Sequence, residues 1–374
     1  MERIGGDGST DATASVPAPP PATRTETVAA PRHRRRLAFD LTALGIVGVL
    51  LIGAIAASGA VLYRQLYSPT AFVLDYLHLL EDGRASDALQ LPGVAVEEAE
   101  AEAGVQGDAS DALLRSEALA RLSDIEPVSE VTSPEGTTAV TVSYRVGGHT
   151  GETTFDVERD GSVGLAPTWR FASSPLAVIQ LAVRGSMEFL VNGFAIDKRQ
   201  VSPDGLDADP LEPVALLAFS PGLYSITVDT AVTESPGVAV LTDAPLTTVP
   251  VSFQASPTDE FIDVVQRKVD AFLADCATQQ VLQPTGCPFG YYVRNRIVEP
   301  PSWSITEKPK VALEPDGADW AITRTQAVAE IDVQIRSIFD GSIFDVREEV
   351  PFFITGTITI LPDGTASIAV SASD

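Results

Sequence analysis

Hydrophobic and polar positions divide this chain into stretches of different period. Residues 41–63, LTALGIVGVLLIGAIAASGAVLY, carry no charge and follow closely on Arg32, Arg34, Arg35 and Arg36. A membrane-crossing helix needs roughly 20 apolar residues and closes its own backbone hydrogen bonds, which this run can do. Arginines on the N-terminal flank keep that end in the cytoplasm. A cleaved signal peptide is the rival reading, with Ser58-Gly59-Ala60 as its cleavage site. Such peptides have a short charged start and an apolar region of only about 7–15 residues, so the pattern favours an uncleaved signal anchor over 37–64. Gly53 with Ala57, and Ala56 with Ala60, form small-xxx-small pairs. These suit a homodimer through the membrane helix, and equally the ordinary Gly and Ala content of such helices.

Beyond the anchor the period becomes 3.6, then 2. Ser68-Pro69-Thr70 opens a helix in which Phe72, Val73, Tyr76, Leu77, Leu79 and Leu80 recur at helical spacing until Gly83. Shorter helices are predicted over 85–91 and 111–122, with 97–107 (EEAEAEAGVQG) either a solvated helix or a loop. Alternation then predicts strands at 128–132, 138–146, 152–158, 162–165 and 169–171. Residues 174–254 show no helical pattern. Short runs at 179–183, 188–191, 214–218, 223–227, 238–241 and 247–251, punctuated by Asn192-Gly193, Pro221-Gly222 and Pro236-Gly237, predict a small β-sandwich. From Pro257 the stripe Phe261, Val264, Val265, Val269, Phe272 and Leu273 predicts a helix up to Cys276. Strands follow at 291–297, 303–305, 310–313, 320–323, 328–335 and 352–360, with a last hairpin at Pro362-Asp363-Gly364. Helix followed by meander occurs twice, each time with an Asp-Gly turn ahead of a tryptophan strand (Trp169, Trp320), a weak internal repeat.

The predicted class is therefore α+β: one transmembrane helix, a helix-plus-antiparallel-sheet domain, a small β-sandwich, and a second helix-plus-antiparallel-sheet domain. The boundaries are 1–36 for a disordered cytoplasmic tail rich in Pro, Ala, Thr and Ser, 37–64 for the membrane helix, then 68–172, 174–254 and 257–374.

Charge sharpens this. The net charge of −26 falls almost entirely after the membrane segment, because the tail holds six arginines against four acids. So acidic a surface repels phosphate backbones, which excludes nucleic acid as a partner. Cys276 and Cys287 are the two cysteines. Outside the cell a closely spaced pair reads as a disulfide; no histidine stands nearby to complete a zinc site, and the spacing is not C-x-x-C.

Resemblance enters at short motifs. Residues 71–77 (AFVLDYL), the short helix at 85–91 and Thr168-Trp169-Arg170 resemble the nuclear transport factor 2-like or cystatin-like domains that follow the single membrane helix of bacterial envelope proteins. Val191-Asn192-Gly193 and Ser220-Pro221-Gly222-Leu223-Tyr224 resemble PEGA-type surface sandwiches, and the whole layout is similar to TcaA-like membrane proteins. The cysteine-bearing zinc ribbon of those proteins has no counterpart in this cysteine-free tail, so no metal sensing is carried over. The scarcity of Lys (198, 268, 308 and 310) beside Arg, with abundant Ala, Val, Asp and Pro, fits a GC-rich bacterial, actinobacterial-type source.

Candidate chemistry is sparse. His78 lies in the first apolar helix, where an interior or boundary histidine is expected, and His149 in a solvated Gly-Gly-His-Thr-Gly turn. No nucleophile elbow, H-E-x-x-H or phosphate loop occurs. Asp204, Asp207 and Asp209 lack the spacing of a calcium loop and read as a polar turn, as do Asp340 and Asp345. Phe289, Tyr291 and Tyr292, pinned by Cys287, form either a recognition loop or the first core residues of the next strand. The sequence thus predicts a non-enzymatic interaction or sensor protein of the cell envelope, integral to the membrane, extracellular from residue 64 onward, needing no cofactor or metal, with an envelope protein or cell-wall component as partner. The alternative is an enzyme or small-ligand carrier using a pocket between helix and curved sheet in an outer α+β domain.

Overall fold

The computed structural model describes residues 42–54, 66–105, 107–164, 166–361 and 365–372. The chain divides into two compact units, Met1–Leu62 and Tyr63–Asp374. In the first unit residues 42–54 are helical (α1). The expected tail at 1–36, both ends of the expected span at 37–64, and the hairpin turn at 362–364 lie outside the described residues. No helix among the described residues is long and apolar enough to cross a membrane.

The second unit is mixed α+β, with mainly antiparallel sheets. Helix α2 (Pro69–Glu81) begins as its sequence dictates. Ser68 accepts a hydrogen bond from the Ala71 amide through its hydroxyl, and Pro69 occupies the first turn, where its missing N–H costs nothing. α3 is a single turn, Ala85–Ala88, shorter than predicted, and α4 (Val96–Ala103) realises the helical reading of the acidic stretch, closed by Gly104 at φ +71°. Strands β1 (Leu122–Thr132), β2 (Thr138–Val146), β3 (His149–Val163) and β4 (Ala166–Phe171) form an antiparallel meander. β3 runs through the Asp160-Gly161 pair that the sequence suggested as a turn, and the pair sits at a register shift against β4 instead. Tyr76, on the buried face of α2, packs edge-on against Phe155 and Phe171.

The expected helix at 111–122 does not form. Ser110 pairs with β8 (Val214–Phe219), accepting from the Leu217 amide and donating to Ala215 O at 2.9 Å each. Leu113 is then fully buried, and Asn192 Nδ2 donates to Ala118 O. The segment runs instead as turns, with the Leu114 amide donating to Asp111 O and one 3-10 turn at Ser116–Ala118, and tertiary partners override local propensity.

Residues 174–254 form two facing sheets. One has the order β12-β5-β8, with β5 (Leu176–Arg184) antiparallel to β8 and parallel to β12 (Thr248–Gln254). The other has the order β11-β9-β6-β7, from β11 (Val238–Thr242), β9 (Gly222–Thr227), β6 (Glu188–Val191) and β7 (Phe194–Asp197). Asn192 and Gly193 both have positive φ in the tight β6–β7 turn, the geometry an Asn-Gly pair is chosen for. A short helix, α5 (Lys198–Val201), interrupts a stretch predicted to lack helices. β5 explains its own composition: Val178 joins the core beneath α2 while Ile179, Leu181 and Val183 join the core between the sheets. A strand buried on both faces reads as a nearly continuous apolar run. One hydrophobic core therefore continues across residues 172–176.

The remainder pairs α6 (Asp259–Ala277) with a six-stranded sheet. Thr258 caps the helix, and Phe261, Val265, Val269, Leu273 and Cys276 form its buried stripe. β17 (Asp319–Arg336) and β18 (Ile343–Ile360) make one long hairpin, joining runs predicted as separate strands through an irregularity between Ile322 and Thr325. Three short strands, β14 (Arg296–Ile297), β15 (Ser302–Glu307) and β16 (Leu313–Asp316), line β17, and β19 (Ala366–Ala372) pairs with β18. The strand expected at 291–297 shrinks to β14, because 288–293 instead wraps the end of the core. The two-stranded β10 (Thr233–Glu234) and β13 (Ser256–Pro257) join this part to the sandwich.

Candidate functional site: a cleft between the sandwich and the last sheet

A cleft of about 470 Å³ opens where β5 ends, the β9–β10 connection turns, and the last sheet comes alongside. Gly185 permits that approach. Its φ is +84°, and a Cβ there would meet Trp320 at 3.2 Å and Gln254 at 3.3 Å. One wall is apolar: Met187, Leu206, Val232, Ile360 and Leu361. The polar side carries Ser186, Glu188, Arg199, Asp229, Thr230 and Thr233.

Ser186, Thr230, Thr233 and Arg199 each have a local reason to be rigid. The Ser186 hydroxyl donates to Glu188 O at 2.7 Å and accepts from the Glu188 amide. Thr230 and Thr233 share a hydroxyl–hydroxyl bond of 2.8 Å, and the Thr233 amide donates to the Thr230 hydroxyl. Asp197 caps α5, accepting from the Arg199 amide, and binds the Arg199 guanidinium in a two-pronged pair with a shortest contact of 2.6 Å. Partial burial opposes ionisation of Asp197, but the hydrogen bonds and charge of Arg199 outweigh it and hold the carboxyl below its usual range. The same bonds push the Arg199 pKa up. Beneath them the buried Lys198 ammonium donates to Asp209 O at 2.6 Å and to Glu212 O. Desolvation lowers its pKa, and the Asp209 and Glu212 carboxylates partly restore it.

Chemically the cleft offers hydroxyls, the Glu188 and Asp229 carboxylates and an arginine bound by Asp197 and felt by Glu188, against an apolar wall. Neither His78 nor His149 lines it. His78 and His149 are both exposed, His78 because it falls on the solvent side of α2, a correction to the interior or boundary position expected from its apolar neighbours. Asp204, Asp207 and Asp209 are exposed around a 3-10 turn (Gly205–Asp207), and among the described residues no cluster of His, Cys, Asp and Glu could hold a metal ion. The helix–sheet interface of the first α+β region, one place where the alternative reading would put a pocket, is occupied by Val73, Tyr76, Leu77, Val142, Phe155 and Phe171.

The disulfide joins Cys276 at the end of α6 to Cys287. Gln279 braces the enclosed loop through the Thr285 amide. The aromatic trio divides. Phe289 is buried against Trp303 and Phe352, with ring centroids 4.9 and 5.2 Å away. Tyr291 is half-buried, its pKa raised first by desolvation and then by its hydrogen bond to Glu348. Tyr292 is exposed. Only Tyr292 is free for recognition; Phe289 belongs to the core. Replacing both cysteines by serine should cost up to about 3 kcal/mol, the chain-entropy value for so short a loop, measurable as a lowered urea midpoint that reductant no longer shifts.

Sequence inspection does not reveal the cleft, because 185–188, 199–210, 229–233 and 318–361 carry no shared motif and converge only through the fold. No family model matches the chain, and no curated protein or solved structure matches it.

Proposed function

We propose that this is a membrane-tethered interaction or sensor protein of a bacterial cell envelope, with residues 1–36 inside, 37–64 as the span, and the region from Ser68 on outside. The observation that carries the reading is the uncharged run 41–63 behind its arginine cluster. Its described part, α1, exposes Leu44, Ile46, Leu50 and Ile52 with no polar face to turn toward water. The disulfide supports an oxidising compartment for the outer region, and the cleft supplies a ligand or partner contact there. Binding contacts, rather than bond chemistry, are what the cleft's hydroxyls, carboxylates and Asp197-held arginine support.

The test is made in intact cells with the full chain tagged at each end. External protease should remove the C-terminal tag and spare the N-terminal one, and a maleimide gel shift should appear only after reduction. A protected C-terminal tag, or cysteines that react without reductant, would overturn the reading.

A further inference from the structure

The far end of the β17–β18 hairpin carries a feature the cleft does not use. The sequence Ser-Ile-Phe-Asp occurs twice in succession, at 337–340 and 342–345, around Gly341, whose φ of +78° makes the turn. The repeat puts large apolar side chains where a water-exposed tip ordinarily holds polar ones: Phe339 is 97% exposed, Ile338 68%, and Ile343 and Phe344 are exposed too. Cross-strand register sets Ile297 and Phe344 on either side of the buried Ile335, so the apolar face of the core runs out onto this end, with the exposed Tyr292 on the preceding loop.

The charges here are also unusual. Arg294, Arg296 and Arg336 are exposed, as are Glu299, Asp340 and Asp345, and the chain's ion pairs among described residues involve none of the six. Arg296 lies directly opposite Arg336 on the paired strands, a like-charge juxtaposition that disfavours the isolated sheet. On a chain of net charge −26, this end is a neutral apolar patch holding both signs unmatched. Two copies repel one another through the rest of their surfaces but not here.

We propose that the ribbon end is a self-association surface, on which a second copy of the chain docks tip to tip. A two-fold contact is self-complementary, so the arginines of one copy meet the carboxylates of the other twice over while the phenylalanines and isoleucines bury each other. Aromatic and arginine side chains side by side are the usual composition of an energetic hot spot. A bilayer is the poorer occupant, since Asp340, bonded to the Ser342 amide and hydroxyl, would enter the lipid beside Phe339. The inference makes no use of residues 41–63 and stands or falls separately from the membrane tether.

Sedimentation of the full chain in detergent tests it. The unaltered protein should be a dimer, and Phe339→Ser, at a position packed against nothing, should weaken the dimer about tenfold or more without changing the urea midpoint. A chain with Arg294→Glu, Arg296→Glu and Arg336→Glu should be monomeric, as should one with Glu299→Lys and Asp345→Lys. Mixed, the two should form a one-to-one heterodimer. A monomeric unaltered chain overturns the proposal, as does a dimer indifferent to all these changes, which would place the contact elsewhere, in the 41–63 helix for example. So does a monomer that binds phosphatidylglycerol vesicles through Phe339, which would make the tip a lipid contact.

Discussion

Replacing Gly93 by alanine should destabilise the outer unit by at least about 3 kcal/mol, whereas the same change at Gly104 should cost only about 1 kcal/mol. Both glycines have positive φ, +85° and +71°, so both lose the conformational freedom that only glycine has there. What differs is the surroundings. At Gly93 an added Cβ would lie 2.3 Å from Phe171 O and 2.6 Å from Phe171 N. That backbone cannot retreat, since the Phe171 amide donates to Pro92 O at 2.9 Å and its ring packs on Phe72, Tyr76 and Phe155. At Gly104 nothing lies within 4 Å. Urea denaturation of both variants, followed by circular dichroism, separates the two terms. Equal losses would show that the chain between α3 and α4 simply moves aside and that Gly93 is there for its dihedral alone.

Much of the architecture is legible in the sequence wherever the signal is local. The capped start of α2, the stripe of α6, strands β2 and β6 and the Asn192-Gly193 turn depend on residues within a few positions of one another, and period and turn chemistry identify them. The failures share one cause. Residues 111–122 have helical spacing, but their apolar side chains are divided between two cores, Ala112, Leu113 and Ala118 in the sandwich and Leu114 and Leu122 beneath α2, and β8 pairs with the backbone at Ser110. The runs 320–323 and 328–335 look separate because polar residues intervene, yet one irregularity lets β17 carry both. His78 has apolar neighbours in sequence, but α2 turns it outward. The candidate sites divide in the same way. The cysteine pair could be read from spacing and compartment, whereas the cleft exists only because Gly185 lets Trp320 come close, a contact between residues remote in sequence.

Raising the pH from 10 to 12 should remove several kcal/mol of stability, and Tyr76→Phe should abolish part of that loss. Tyr76 and Tyr224 are both fully buried, each with its phenol pKa raised, chiefly by desolvation and for Tyr76 additionally by the charge Tyr224 would carry. In the unfolded chain both titrate near 10. Below that pH folded and unfolded forms hold these protons alike, and the stabilisation is fully present. Above it the unfolded chain releases protons that the folded chain retains, so stability declines as pH rises, by up to about 1.4 kcal/mol per pH unit for each tyrosine. The mutation has its own cost at neutral pH. The Tyr76 hydroxyl donates to Ser220 O at 3.0 Å, and removing it leaves that buried carbonyl short of a partner, worth about 1–2 kcal/mol. Tyr76→Phe should therefore be less stable than the unaltered protein at pH 8 and lose stability more slowly beyond pH 10, so that the two curves converge. Chemical denaturation across this range decides the matter: parallel curves would mean that the Tyr76 phenol reaches solvent in the folded protein, and that the hydroxyl tying α2 to the β8–β9 turn is not the buried joint described above.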